Sequence, residues 1–118
     1  MLILIAEDDE LILKTIEHKL IKEGCEVILT RNGKEAIETI QNTEVDLIIT
    51  DIMMPFASGI EILSAVQKTG RNTPVIMLSS MGQEEVVLNA FGLGAADFIV
   101  KPFSPNELML RIKRFTVK

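Results

Sequence analysis

The chain has 118 residues, 47% hydrophobic and 25% charged, with a formal net charge of −5 at pH 7. That describes one globular domain, able to bury about two-thirds of its unfolded-chain surface without disulfides or a structural metal. The acidic balance argues against a broad nucleic-acid-binding face, the absence of Trp and Tyr against an aromatic stacking platform, and the single cysteine, Cys25, against an internal disulfide.

The first predicted strand spans 2–6, Leu2-Ile3-Leu4-Ile5-Ala6, and runs straight into Glu7-Asp8-Asp9. This opening has no basic region or small-residue cleavage site and is too short to span a membrane, so the expected setting is cytoplasmic, with no membrane partner. A helix follows with Leu11, Leu13, Ile16 and Leu20 on one face. His18, within Glu17-His18-Lys19, reads as a solvated helix position. It makes neither a thiol-protease site nor a zinc site with the distant Cys25.

Strands at 26–30, 45–50, 74–79 and 97–100 then alternate with helical stretches. Their faces are marked by Ala36, Ile37 and Ile40, by Ile60, Leu63 and Val66, by Val87, Leu88 and Phe91, and by Leu108, Ile112 and Phe115. Asn32, Ser58 and Ser104 each stand three residues before a Glu as helix N-caps, the last with Pro105 at the first helical position. Gly24, Gly70 and the Gly92/Gly94 pair supply stops.

Strands apolar on both faces belong to a parallel sheet covered by helices on each side. Five such repeats with right-handed crossovers give a doubly wound α/β sandwich, which binds ligands outside the carboxyl ends of its strands. Four of those ends carry chemistry: Asp8 and Asp9, then Asp51, then Ser79, then Lys101. Carboxylates without nearby His or Cys select Mg²⁺ or Mn²⁺ over zinc. Asp51 can also attack phosphorus to give an acyl phosphate, with Lys101 as a point charge on one phosphoryl oxygen and Ser79 as a hydroxyl partner for another. Each residue also has a plain structural reading. Asp9 can cap the first helix, Asp51 can cap a turn before Pro55, Lys101 can lie on the surface and Ser79 in a loop. Their arrival together at one sheet edge favours a site. Most Lys-Pro bonds are trans; a cis Lys101-Pro102 bond would turn the lysine back over the edge.

At these residues the chain resembles a response-regulator receiver domain, the phosphoacceptor half of two-component signalling. The resemblance runs over residues 1–118 and rests on Glu7-Asp8-Asp9, on Asp51-Ile52-Met53-Met54-Pro55 with Gly59, on Leu78-Ser79-Ser80 and on Lys101-Pro102-Phe103. It implies a flavodoxin-like strand order 2-1-3-4-5 with helices on both faces. It also implies Asp51 as phosphoacceptor, and Asp8, Asp9, Asp51 and the Met53 backbone carbonyl on the metal. Ser79 would be the switch hydroxyl and Phe98 the switch aromatic, with Lys101 as the phosphoryl-contacting lysine on a cis bond to Pro102. The implied partners are a histidine kinase or phosphotransfer protein, and a downstream protein or an output domain fused beyond residue 118. Direct nucleic-acid binding is not expected, and the domain would be no enzyme beyond its own phosphotransfer and slow autodephosphorylation.

Departures from the family pattern add expectations. Ala57-Ser58-Gly59 replaces a common Met-Asp-Gly, with Ser58 still placed to cap the third helix. Phe98 lacks the hydroxyl of a tyrosine, so its switching must rest on packing. Asp97, Glu107 and Arg111 match the charge ladder of relatives that dimerise through helix four, strand five and helix five. Val86, Val87 and Ala96 do not, and the two valines suggest an apolar partner surface. Met53 and Met81 flank the expected path of the hydrolytic water and offer it no strong acceptor, hence the slow phosphate loss. Two rivals fit less well. A dehalogenase-type phosphatase would have a second acid where Met53 stands, and a flavodoxin-like binder would not place Glu7-Asp8-Asp9-Glu10 at a flavin phosphate.

Overall fold

A computed structural model describes residues 1–80 and 82–115. Five strands, β1 (Leu2–Ala6), β2 (Glu26–Thr30), β3 (Leu47–Asp51), β4 (Val75–Ser79) and β5 (Asp97–Val100), form one parallel sheet in the order β2-β1-β3-β4-β5. The crossovers are α1 (Glu10–Lys22), α2 (Gly33–Asn42), α3 (Gly59–Lys68) and α4 (Glu84–Gly92), and α5 (Pro105–Lys113) follows β5. This is the expected doubly wound α/β architecture.

Strand alternation sorts the apolar residues into two cores. Leu4, Ile48 and Met77 point to the side covered by α2, α3 and α4, where Ala36, Ile62 and Val87 meet them. Ile3, Ile5, Ile49 and Leu78 point the other way, onto Leu13 and Ile16 of α1 and Leu108 and Ile112 of α5. The strand order reverses between β1 and β3, so the carboxyl ends of these two strands open a crevice.

Three boundaries depart from the sequence reading. β3 starts at Leu47, pairing with Ile3, and takes in Asp51. Val45 is buried ahead of it, while the Asp46 carboxylate accepts the Leu2 N–H at 2.7 Å. β4 begins at Val75 because Pro74 has no amide for the ladder, although its carbonyl accepts from Ile48 N–H at 3.0 Å. Ser58 occupies the N-cap of α3 with extended backbone, yet its side chain makes no capping bond. The Asn32 and Ser104 caps do form, to Glu35 N–H at 2.9 Å and Glu107 N–H at 3.0 Å. Among the described residues no helix is long and apolar enough to cross a membrane.

Candidate functional site

Glu7 directly follows β1, donating its N–H to Thr30 O at 3.1 Å, and its side chain is fully buried. At the end of β3, Asp51 is almost as deep, 8% exposed. Ligand oxygens of Glu7, Asp8 and Asp51 lie within 4.8 Å of one another. Lys101, just past β5, reaches across from the opposite side. Its Nζ donates to Asp51 Oδ2 at 2.8 Å and sits 2.6 Å from Glu7 Oε1. The second contact is a charge contact off the line of a hydrogen bond, so Glu7 Oε1 keeps unused acceptor capacity.

The electrostatics follow from this depth. Burial pushes the Glu7 carboxyl up to about 7, and the Asp51 charge adds to the rise. The Lys101 ammonium and the Asp9 N–H, 3.2 Å from Glu7 Oε2, oppose it. Burial alone would lower the Lys101 pKa, but its contacts with Asp51 and Glu7 outweigh that and raise it. The three carboxylates are hard oxygen donors with one cation among them. That donor set fits a small divalent ion such as Mg²⁺.

Two backbone features complete the acidic rim. Met53 N–H donates to Asp51 Oδ1 at 3.2 Å, which orients the carboxylate from the other oxygen. The Lys101–Pro102 peptide bond is cis.

Asp9 touches the cluster only through its N–H on Glu7 Oε2, while its carboxylate turns to the helix. Its Oδ1 accepts the N–H groups of Leu11 and Ile12 at 2.9 and 3.2 Å and caps α1. The acid that joins exposed Asp8 and buried Asp51 in the cluster is Glu7, which the sequence reading did not assign to the metal. Its signal was available: an Asp directly before a helical apolar run is an N-cap, which leaves Glu7-Asp8 as the free pair.

Ser79, at the end of β4, is 1% exposed, and among the described residues its Oγ has no hydrogen-bond partner. Beside it lies a largely apolar hollow of about 390 Å³, lined by Ser79, Val87, Leu88, Phe91 and Phe98 among others. Phe98, half-buried on β5, meets Phe91 of α4 edge-on, with ring centroids 5.4 Å apart and planes at 82°. Val86 and Val87 do not form the expected outer surface. Val87 is buried in the core and Val86 packs against it, because that side of α4 meets the sheet. Leu88, 70% exposed, takes the outward position instead. Of the charge-ladder residues, Asp97 is buried and bonded within the chain to Arg111 and Arg114, each at 3.0 Å. Met81 lies outside the described residues.

The family model for the response regulator receiver domain matches residues 3–113. Response regulator RR06 of Streptococcus pneumoniae is 40% identical over 113 residues, covering 96% of this chain and 52% of that protein. Response regulator SaeR of Staphylococcus aureus is 36% identical over 116 residues, covering 98% and 50%. The chain thus spans about half the length of the curated relatives it matches. Among solved structures, a CheY-like receiver domain protein from Methanospirillum hungatei superposes with a TM-score of 0.90 at 31% identity, covering 96% of this chain and 90% of that one. The chemotaxis response regulator CheY4 of Vibrio cholerae gives 0.89 at 31% identity, covering 97% of each chain. With an acid-lined β1–β3 crevice on a sheet of this order, the chain belongs to the response regulator receiver domain family of two-component signalling.

Proposed function

We propose that Asp51 is the phosphoacceptor of a phosphorylation-activated switch, charged by a phosphohistidine on a histidine kinase or phosphotransfer protein. The observation that carries this reading is the bracketing of Asp51. Lys101 Nζ holds Oδ2 at 2.8 Å and Met53 N–H holds Oδ1 at 3.2 Å, which fixes a nucleophilic carboxylate at the rim of the sheet. In the transfer an Asp51 oxygen–phosphorus bond forms and the nitrogen–phosphorus bond of the donor breaks. The electron pair of that bond stays on the imidazole. Lys101 is then placed to exchange its contact with Asp51 for one with a phosphoryl oxygen.

Glu7, Asp8 and Asp51, with the Met53 backbone carbonyl, would hold Mg²⁺ or Mn²⁺. When bound, the ion offsets the charge of the carboxylates and of the transferring group. Asp9 supports this set by ending α1 cleanly rather than as a ligand. The Ser79 hydroxyl, buried with capacity to spare, can turn toward the new phosphoryl oxygens. Phe98 can follow into the hollow beside it, reshaping the surface of α4, β5 and α5 for a downstream protein or fused output domain. The chain turns over no external substrate in this reading and loses its phosphoryl group slowly.

Incubation with Mg²⁺ and a small phosphoryl donor tests it. Intact-mass spectrometry is expected to show one added phosphoryl group on the wild type and none on Asp51→Asn. Equal labelling of both would place the acceptor elsewhere.

A further inference from the structure

Among the described residues, Phe56 is the one non-glycine with a positive φ, +71°, and its side chain is 82% exposed. A bulky residue is strained in that backbone region, and a ring in water forfeits its burial. Gly or Asn would tolerate the same backbone far better. The turn that presents the ring is pinned on both sides. Ala57 N–H donates to Pro55 O at 2.9 Å, and Gly33 N–H donates to the same oxygen at 3.3 Å. Ala57 is buried against Gly33, where an added Cβ would fall 2.1 Å from Ala57 O. The fold therefore holds Phe56 outward at a cost in both strain and burial.

This turn belongs to the loop that leaves Asp51. Met53, whose amide holds the Asp51 carboxylate, is itself 56% exposed. On the Lys101 side, Leu11 at the start of α1 is 79% exposed. It borders an apolar hollow of about 350 Å³ shared with Ile12, Lys101, Pro102 and Phe103. The acidic crevice thus has apolar residues on two of its rims. A protein that brings a phosphohistidine into bonding reach of Asp51 must cover the loop that carries Phe56. A small phosphoryl donor need not touch it.

We infer that Phe56 is an apolar anchor for the protein phosphodonor, seated in an apolar recess beside its phosphohistidine. The inference rests on the reading of Asp51 as phosphoacceptor, and comparing two donors on the same chain separates the two. Wild type, Phe56→Gly and Phe56→Asn are phosphorylated with Mg²⁺ and acetyl phosphate. Separately, they meet autophosphorylated histidine-kinase cores from the chain's own source organism, using the core that is fastest on the wild type.

Rates with acetyl phosphate are expected to stay within about twofold. KM for the kinase core is expected to rise about tenfold with kcat little changed, as for loss of an interface anchor, and Phe56→Leu is expected to recover most of the loss. Both variants are expected to melt no lower than the wild type, since they relieve the backbone. An unchanged KM in Gly and Asn variants overturns the inference, as does an equal fall with both donors. Transfer from acetyl phosphate but from no kinase core overturns it too, while leaving the phosphoacceptor reading intact. Failure of both donors on the wild type sinks that reading and the inference with it.

Discussion

Around Asp51 the polar groups hold one another: Lys101 bridges two carboxylates, Met53 N–H takes the second Asp51 oxygen, and Asp9 N–H meets Glu7. Around Ser79, two strands away from β1, the hydroxyl is buried with no partner among the described residues, and the neighbouring space is an apolar hollow. The ring of Phe98 rests there on the edge of Phe91 alone among aromatic neighbours. One side of the sheet edge is a stretched electrostatic balance, sensitive to any added charge. The other is a packing arrangement with room for a second state. In the proposed switch, a phosphoryl group that disturbs the first would move the second by a short path, through one hydroxyl and one ring.

The largest expected effect breaks the charged side. Lys101→Ala leaves Glu7 and Asp51 buried without their cation, and loss of one partner from a buried ion pair costs about 3 to 5 kcal/mol. Urea unfolding in metal-free buffer at pH 8 should read that loss, and Mg²⁺ should restore part of it. A loss below about 1 kcal/mol would show that the lysine does not hold this side together.

A titration of the same side comes next. In the folded chain Glu7 keeps its proton up to about pH 7, whereas the ordinary value is 4.5. Between those values the folded state binds more protons than the unfolded state, so stability falls as pH rises through the window. The expected drop in metal-free buffer is about 3 kcal/mol, complete about one unit above pH 7 and absent below 4.5. Glu7→Gln should flatten the curve. A wild-type curve already flat between pH 5 and 8 would separate Glu7 from the balance around Asp51.

How much of this was legible in the sequence depended on whether a residue's role is local or spatial. The strands, their alternation and the caps at Asn32 and Ser104 are set within a few residues, and apart from the shifted bounds of β3 and β4 they appear where the pattern puts them. Asp51, Ser79 and Lys101 were legible because a parallel sheet brings every strand end to one edge. Glu7 was passed over because three acids in a row compete for two jobs, and the helix amides of Leu11 and Ile12 decide which acid becomes the cap. The side of α4 that Val86 and Val87 occupy was misjudged because adjacent apolar residues leave the rotation of a short helix open until it meets the sheet. Phe56 was invisible as a special residue: its positive φ lies in a turn held partly by Gly33, which is far from it in sequence.

The smallest expected effect lies on the packing side and sharpens the contrast most. A buried hydroxyl without a partner contributes no hydrogen bond to set against its desolvation, so deleting it removes a cost along with a little packing. Ser79→Ala should therefore change stability by less than about 0.5 kcal/mol, in either direction, where Lys101→Ala changes it severalfold more. Asp51 should still take up a phosphoryl group, since none of the contacts holding its carboxylate involves Ser79. What should be lost is the response of the Phe98 and Phe91 ring resonances to phosphorylation, followed by NMR. If Ser79→Ala instead costs more than about 1.5 kcal/mol, the hydroxyl is already bonded in the resting state. The hollow beside Phe98 would then be held by the same polar network as Asp51, and the two sides of the sheet edge would be one.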